Sequence, residues 1–411
     1  MAWIGVAALG ILVAGVFYLR PSLAPPTAAT PAAPARVVVP ASGWRLASAS
    51  FGDANHGTVQ LYSAAPAPTA TFLTSDGGKT WQVAAPAPSN GYAWAGFIDA
   101  RTVVAQTISD LGPANAGPVK TRISYDAGRT WRQLADPRRS SRPGLPGFLD
   151  PEHAWWIDRA PSQDPHTPVA LWRTTDGGRT WHELVASGLN AGGFPGQPVF
   201  IDGLRGVVVT TSADRSTSAL ATYDGGETWR TVKTFEVPQG TRVLSSVILR
   251  RGHRLLSWLL TVPDTTLGAG GALFSPAGSS IDYMPFTTVS DDGGQTWSQP
   301  RAGPNIVQPG YVGLNPTVDD HGHLLLVDDR HLWISHDWGA TWASRLMQAP
   351  AGMRPTTLVS AVPGALFAMA AKTGPVATVT PGTILTLIRS TDGGAHWSAV
   401  NVPRSPAPAV A

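Results

Sequence analysis

Apolar and polar positions in this chain alternate in short runs rather than in helical periods. Residues 147–185 show the pattern most clearly. Runs at 147–149, 154–158, 170–174 and 180–185 are separated by turn-forming residues. Alternation of period two over a few residues predicts half-buried strands, and the breakers between them predict tight turns. Glycine and proline support this, with 44 and 37 copies among 411 residues, because both penalise helix interiors. The expected class is all-β.

One segment departs from alternation. Residues 2–19 form an uncharged apolar run, and as a helix eighteen residues would span about 27 Å, roughly one hydrocarbon core. No basic residue precedes the run, so an uncleaved anchor is favoured over a cleaved signal peptide, which would leave a secreted protein. Residues 21–41 are rich in proline and alanine and read as an extended tether. The expected organisation is an anchor at 1–20, the tether at 21–41, a globular head at 42–404 and a disordered tail at 405–411. Arg20 alone is a weak orientation signal, and the tether favours a head outside the cytoplasm, at the cell surface.

Self-similarity is the strongest signal. SDGGKTW at 75–81 returns as YDAGRTW (125–131), TDGGRTW (175–181), YDGGETW (223–229), DDGGQTW (291–297), HDWGATW (336–342) and TDGGAHW (391–397). The aspartates are Asp76, Asp126, Asp176, Asp224, Asp292, Asp337 and Asp392, and the tryptophans Trp81, Trp131, Trp181, Trp229, Trp297, Trp342 and Trp397. An aspartate can accept backbone amides two residues on, the glycine two places later tolerates a positive φ, and the indole buries a large apolar area. Each element therefore reads as a hairpin turn locked by its own side chain, with the threonine and tryptophan starting the next strand. Four antiparallel strands per repeat, seven times over, predict a seven-bladed β-propeller.

The elements resemble the Asp-box, or bacterial neuraminidase repeat, of pattern Ser/Thr-x-Asp-x-Gly-x-Thr-Trp. Longer phrases such as FLDPEHAWWIDR before LWRTTDGGRTW resemble the seven-bladed propellers related to the photosystem II assembly and stability factor. The resemblance implies the fold. For function it implies sialidases, plant-polysaccharide hydrolases, sorting receptors or non-catalytic assembly factors, since one fold hosts many sites. Trp338 in place of glycine, His396 in place of threonine and a stretched fifth repeat depart from the pattern.

Chemistry narrows these options. There is no cysteine, so disulfides, thiolate nucleophiles and cysteine-ligated metals are excluded. A net charge of +3 is too small for a nucleic-acid surface. Glutamate occurs only at Glu152, Glu183, Glu227 and Glu236. A sialidase-like site implies an Arg-Ile-Pro motif and a tyrosine–glutamate pair. The first is missing, and the second reduces to Glu236 with Tyr283 or Tyr311. The box aspartates recur once per blade, so a repeated structural role is expected, not a catalytic or calcium array. Within each blade the A–B and C–D turns share one rim, and the boxes are C–D turns. Loops for a site would then lie on the other rim, at 110–119, 159–168, 263–287 (the longest) and 371–382. Arg138, Arg139, Arg142 and Arg159 gather on that rim and form the candidate ligand-binding set. His321, His323, His331 and His336, beside Asp319, Asp320, Asp328 and Asp329, read as turn and edge-strand residues ahead of a metal site. No catalytic residue, metal or cofactor is assigned. The expectation is a monomeric, membrane-tethered propeller that binds a protein or cell-envelope glycan. The alternatives are a divergent exo-sialidase-like hydrolase and an assembly factor for a membrane complex.

Overall fold

A computed structural model describes residues 44–63, 69–86, 92–108, 119–137, 146–159, 169–189, 193–212, 216–266, 280–309, 314–328, 330–372 and 385–403. The expected anchor and tether lie outside these residues. Among the described residues no helix is long and apolar enough to cross a membrane, and the one helical element is a short 3-10 turn, Asp264–Thr266.

Seven antiparallel sheets follow one another along the chain, at 44–86, 92–133, 147–184, 193–235, 241–309, 317–346 and 353–400. Each is a meander in sequence order. The third has strands Gly147–Phe148, Ala154–Arg159, Val169–Thr174 and His182–Leu184, close to the runs read from the sequence. The last strand begins one residue after Trp181, not at Thr180. The threonine and tryptophan belong to the turn, because the box aspartate holds that threonine. Blades four and five each break one strand in two. In blade five, Arg301–Ala302 and Ile306–Pro309 pair with successive stretches of Ser280–Ser290. That long strand also shortens the expected 263–287 loop. Residues 280–287 are strand, with alternating exposure at Ile281 to Tyr283, and 267–279 fall outside the described residues.

Neighbouring blades share their cores. Leu171 and Trp155 of blade three pack with Phe200, Val208, Leu220 and Trp229 of blade four. Tyr283 and Trp258 of blade five pack with Leu324, Leu326 and Trp338 of blade six. The ring closes by packing, since Phe51, Val59 and Phe72 of blade one meet Phe367, Leu387 and Val400 of blade seven. Phe51 and Phe367 stack at 3.5 Å between centroids, as do Trp155 and Phe200 at the seam of blades three and four. Each side chain of such a pair removes a large apolar area from water at about 25 cal/mol per Å².

Candidate functional site

The box rim is built from one hydrogen-bond set repeated seven times. A hydroxyl two residues before the aspartate (Thr74, Ser124, Thr174, Thr222, Ser290, Ser335, Ser390) donates to aspartate Oδ1 at 2.7–2.9 Å. That hydroxyl oxygen in turn accepts the amide of the box glycine at 2.7–2.9 Å. Aspartate Oδ1 also accepts the amide four residues on, at 2.8–3.0 Å. The accepted amides are therefore those three and four residues on, as Asp176 shows with Arg179 and Thr180, not two residues on as the sequence suggested. Oδ2 takes the threonine hydroxyl at 2.5–2.6 Å in six boxes, and His396 Nδ1 stands 2.7 Å from Asp392 Oδ2 in the seventh.

These bonds fix the charge state. Burial alone would raise the Asp224 carboxyl, but donors from Thr228 and Thr222 outweigh it and hold it down at about 2. Bonds from Thr80 hold Asp76, and bonds from His396 hold Asp392, well below the usual carboxylate range. A carboxylate so thoroughly occupied is a poor proton donor at neutral pH.

The box tryptophans seal the seams. Trp229 packs on blade three, Trp397 on blade six and Trp81 on blade seven. The chain leaving one blade also bonds to the next box. Ser187 donates its amide to Glu227 O at 2.8 Å and accepts that of Trp229 at 2.7 Å, while Trp81 Nε1 donates to Asn401 O at 2.9 Å. Trp338 takes the left-handed conformation (φ 57°) where most boxes have glycine. Its ring is buried in the seam of blades five and six, with the Arg254 guanidinium 5.0 Å above it.

A second aspartate turn escaped the sequence reading. Blades one to four carry FGDANH (51–56), FIDART (97–102), FLDPEH (148–153) and FIDGLR (200–205) at their A–B turns. Asp53, Asp99, Asp150 and Asp202 each accept the amides two and three residues on at 2.6–2.9 Å. A side chain of the third residue closes the clamp, such as His153 Nδ1 at 2.9 Å from Asp150 or Arg205 Nε donating to Asp202 at 2.7 Å. A carbonyl of this turn then accepts the amide that follows the box aspartate, at 2.7–2.9 Å for Gly77, Ala127, Gly177 and Gly225. The Phe-x-Asp phrase, its aspartate 22–27 residues ahead of each of the first four box aspartates, was the available signal.

Arg138, Arg139 and Arg142 lie outside the described residues. Arg159 ends the strand Ala154–Arg159, at the end away from the boxes. Of the proposed loops, the central parts of 110–119, 159–168 and 371–382 also lie outside the described residues. Glu152, Glu183, Glu227 and Glu236 are all exposed, and Glu183 is on an outer strand. Tyr283 is fully buried in the core between blades five and six, so it is no partner for exposed Glu236; Tyr311 is outside the described residues. The histidine group divides. His331 and Asp328 sit at the B–C turn, where Asp328 also accepts Trp333 Nε1 at 2.7 Å. Asp319, Asp320, His321, His323 and His336 sit at the opposite end of the blade, on the box rim, and Asp329 is outside the described residues. The reason is the antiparallel meander: Leu324–Val327 separates the two turns.

A model of the BNR/Asp-box repeat matches residues 288–299. No curated protein matches the chain. Among solved structures the chain is similar to a puromycin hydrolase, with a TM-score of 0.51 and 14% identity over 87% of this chain and 54% of that one. It is also similar to YCF48 bound to a D1 peptide, with a TM-score of 0.42 and 18% identity over 85% and 97% of the two chains. A Trypanosoma rangeli sialidase matches with a TM-score of 0.32 and 18% identity over 54% and 39%. At these identities the likeness concerns the fold. The chain is a seven-bladed β-propeller carrying the BNR/Asp-box repeat.

Proposed function

We propose that this protein is a membrane-tethered, non-catalytic propeller that binds a protein or a cell-envelope glycan through the rim opposite the Asp-boxes. The observation that carries the reading is the contrast between the rims. On the box rim the aspartates, which are the obvious carboxylates for chemistry, are consumed by turn hydrogen bonds and held ionised. The glutamates are exposed, and Tyr283 is sealed in a core. Glycoside hydrolysis needs two carboxyl groups about 5–10 Å apart with one kept protonated, and the box aspartates, held ionised, do not offer the protonated one.

Arg138, Arg139 and Arg142 fall in the sequence between the second and third sheets, and Arg159 ends the strand Ala154–Arg159 at its end away from the boxes. Arginine forks suit carboxylate or phosphate groups on a glycan or an acidic protein segment. The test uses full-length protein in detergent on arrays of envelope glycans and against purified envelope proteins. Binding should fall when Arg138, Arg139 and Arg142 are changed together to alanine and persist in Glu227→Gln on the box rim. Hydrolysis of a fluorogenic sialoside or a xyloglucan oligomer, abolished by Glu236→Gln, would overturn the proposal in favour of a glycosidase.

A further inference from the structure

Blade six closes its A–B turn differently from the others. Blades one and three use a single aspartate–histidine clamp, Asp53 with His56 and Asp150 with His153, three residues apart. In blade six the clamp partners Asp319 and His323 are four apart, with His323 Nδ1 2.9 Å from Asp319 Oδ2. The one additional residue makes the intervening segment Asp320, His321 and Gly322, with Gly322 at φ 88°. The turn would close without a second imidazole, as blades one and three do.

The extra ring lies beside the clamp, its plane parallel to that of His323 at 5.7 Å between centroids. His321 Nδ1 is 2.8 Å from Asp320 Oδ1 and 4.0 Å from Asp319 Oδ2, and the latter is 2.9 Å from His323 Nδ1. One ligand atom from each of Asp319, His321 and His323 lies within 4.8 Å of the other two. A separate element adds a third ring: His336, from the box turn, stands edge-on to His323 at 4.2 Å between centroids. The turn backbone is anchored from blade five, since the Arg251 guanidinium donates to the carbonyls of His321 and Asp320. The cation therefore engages main-chain oxygens of this turn.

From this geometry we infer that Asp319, His321 and His323 form a binding site for a divalent transition-metal ion on the box rim. Two imidazoles and one carboxylate suit zinc, nickel or copper better than calcium or magnesium, which take oxygen ligands. Tetrahedral zinc with bonds of about 2.0–2.2 Å places its ligands roughly 3.5 Å apart, so the 4.0 Å contact of His321 with Asp319 must close modestly and the 2.9 Å Asp319–His323 contact must open by a similar amount. His321 has the freedom to move, with its side chain 72% exposed, while Asp319 is 16% exposed and held by the turn. Three protein ligands leave a fourth position for water.

The test is calorimetric titration of untagged full-length protein, stripped with chelator and kept in detergent, with zinc chloride and separately with calcium chloride. One zinc equivalent and no calcium binding are expected. His321→Ala, an exposed change that leaves the Asp319–His323 clamp in place, should weaken zinc at least about tenfold, the scale on which lost support for a metal site is felt. His56→Ala, in the single-histidine turn of blade one, should leave the titration unchanged. Absence of saturable zinc binding, or equal zinc affinity in the parent, His321→Ala and Asp319→Asn proteins, would overturn the inference.

Discussion

Blades one to four and blades five and seven solve the same problem by different means. Each must reverse its inner hairpin at the box rim. In the first four blades the strand ends in a phenylalanine, and two residues later an aspartate side chain gathers the turn amides. In blades five and seven the paired strands are long, Thr241–Arg251 with Arg254–Pro263 and Met353–Val362 with Ala365–Lys372. Two residues suffice to connect each pair, with Gly252 (φ 59°) or Gly364 (φ 76°) in the left-handed region. A five-residue connection needs a side chain to gather its amides, whereas a two-residue glycine turn closes directly on the backbone ladder. The difference teaches that the repeated aspartate of the A–B turn is a local stabiliser, replaceable where the connection is tight.

The largest effect should come from the phenylalanine that precedes the side-chain-locked turn. Phe200→Ala removes a buried ring stacked on Trp155 and opens the seam of blades three and four. It should cost about 3–5 kcal/mol in chemical denaturation. Phe367→Ala, at the seam where the two turn types meet, should cost a similar amount, and a much smaller loss there would show that the ring closes by other means.

Next come the turns themselves. Asp150→Ala should destabilise by about 1–3 kcal/mol, because two amides and His153 lose their acceptor. Asp176→Ala in the box should fall in the same range, and an unchanged melting temperature there would remove the structural role of that carboxylate. Gly364→Ala should cost about 1–2 kcal/mol through the left-handed backbone alone, since no atom would meet the added carbon. Asparagine should restore most of the loss at both 150 and 364, by offering an acceptor in the first case and tolerating φ > 0 in the second. Restoration at only one of the two positions would separate the mechanisms further.

Acid sharpens the comparison. The folded Asp224 carboxyl is depressed to about 2 against about 3.9 in an unfolded chain. Its stabilisation is therefore present above pH about 4 and lost as the pH falls towards 2. Unfolding measured along that range should show the gap between the parent and Asp224→Asn shrinking, whereas the cost of Gly364→Ala should stay constant. The smallest effect is expected for His396→Thr, which restores the hydroxyl clamp of the other boxes on an exposed turn. Its melting shift should correspond to no more than about 0.5 kcal/mol.

Much of this was legible because it is local. The Asp-box is a contiguous phrase whose aspartate bonds to its own neighbours, so seven copies along the chain announce seven blades. The A–B clamp is equally local, yet Phe-x-Asp is a short signal, and His, Thr and Arg alternate as its closing residue. Strand length in blade five was misjudged because a run bounded by proline and glycine reads as loop, while pairing with Leu255–Thr261 makes it strand. The histidines of blade six read as one group because they are close in sequence. A four-residue strand puts them at opposite ends of the sheet.

The amino-acid sequence by itself determined the class, the number of blades and the chemistry of the box turns, since those depend on residues within reach of one another along the chain. Only the tertiary structure decided what the box tryptophans seal, that Tyr283 is core, that the ring closes by stacking Phe51 on Phe367, and that Asp319, His321, His323 and His336 converge. Those contacts join residues of different strands or blades, and no periodicity along a chain encodes which distant side chains the closure of a ring will bring together.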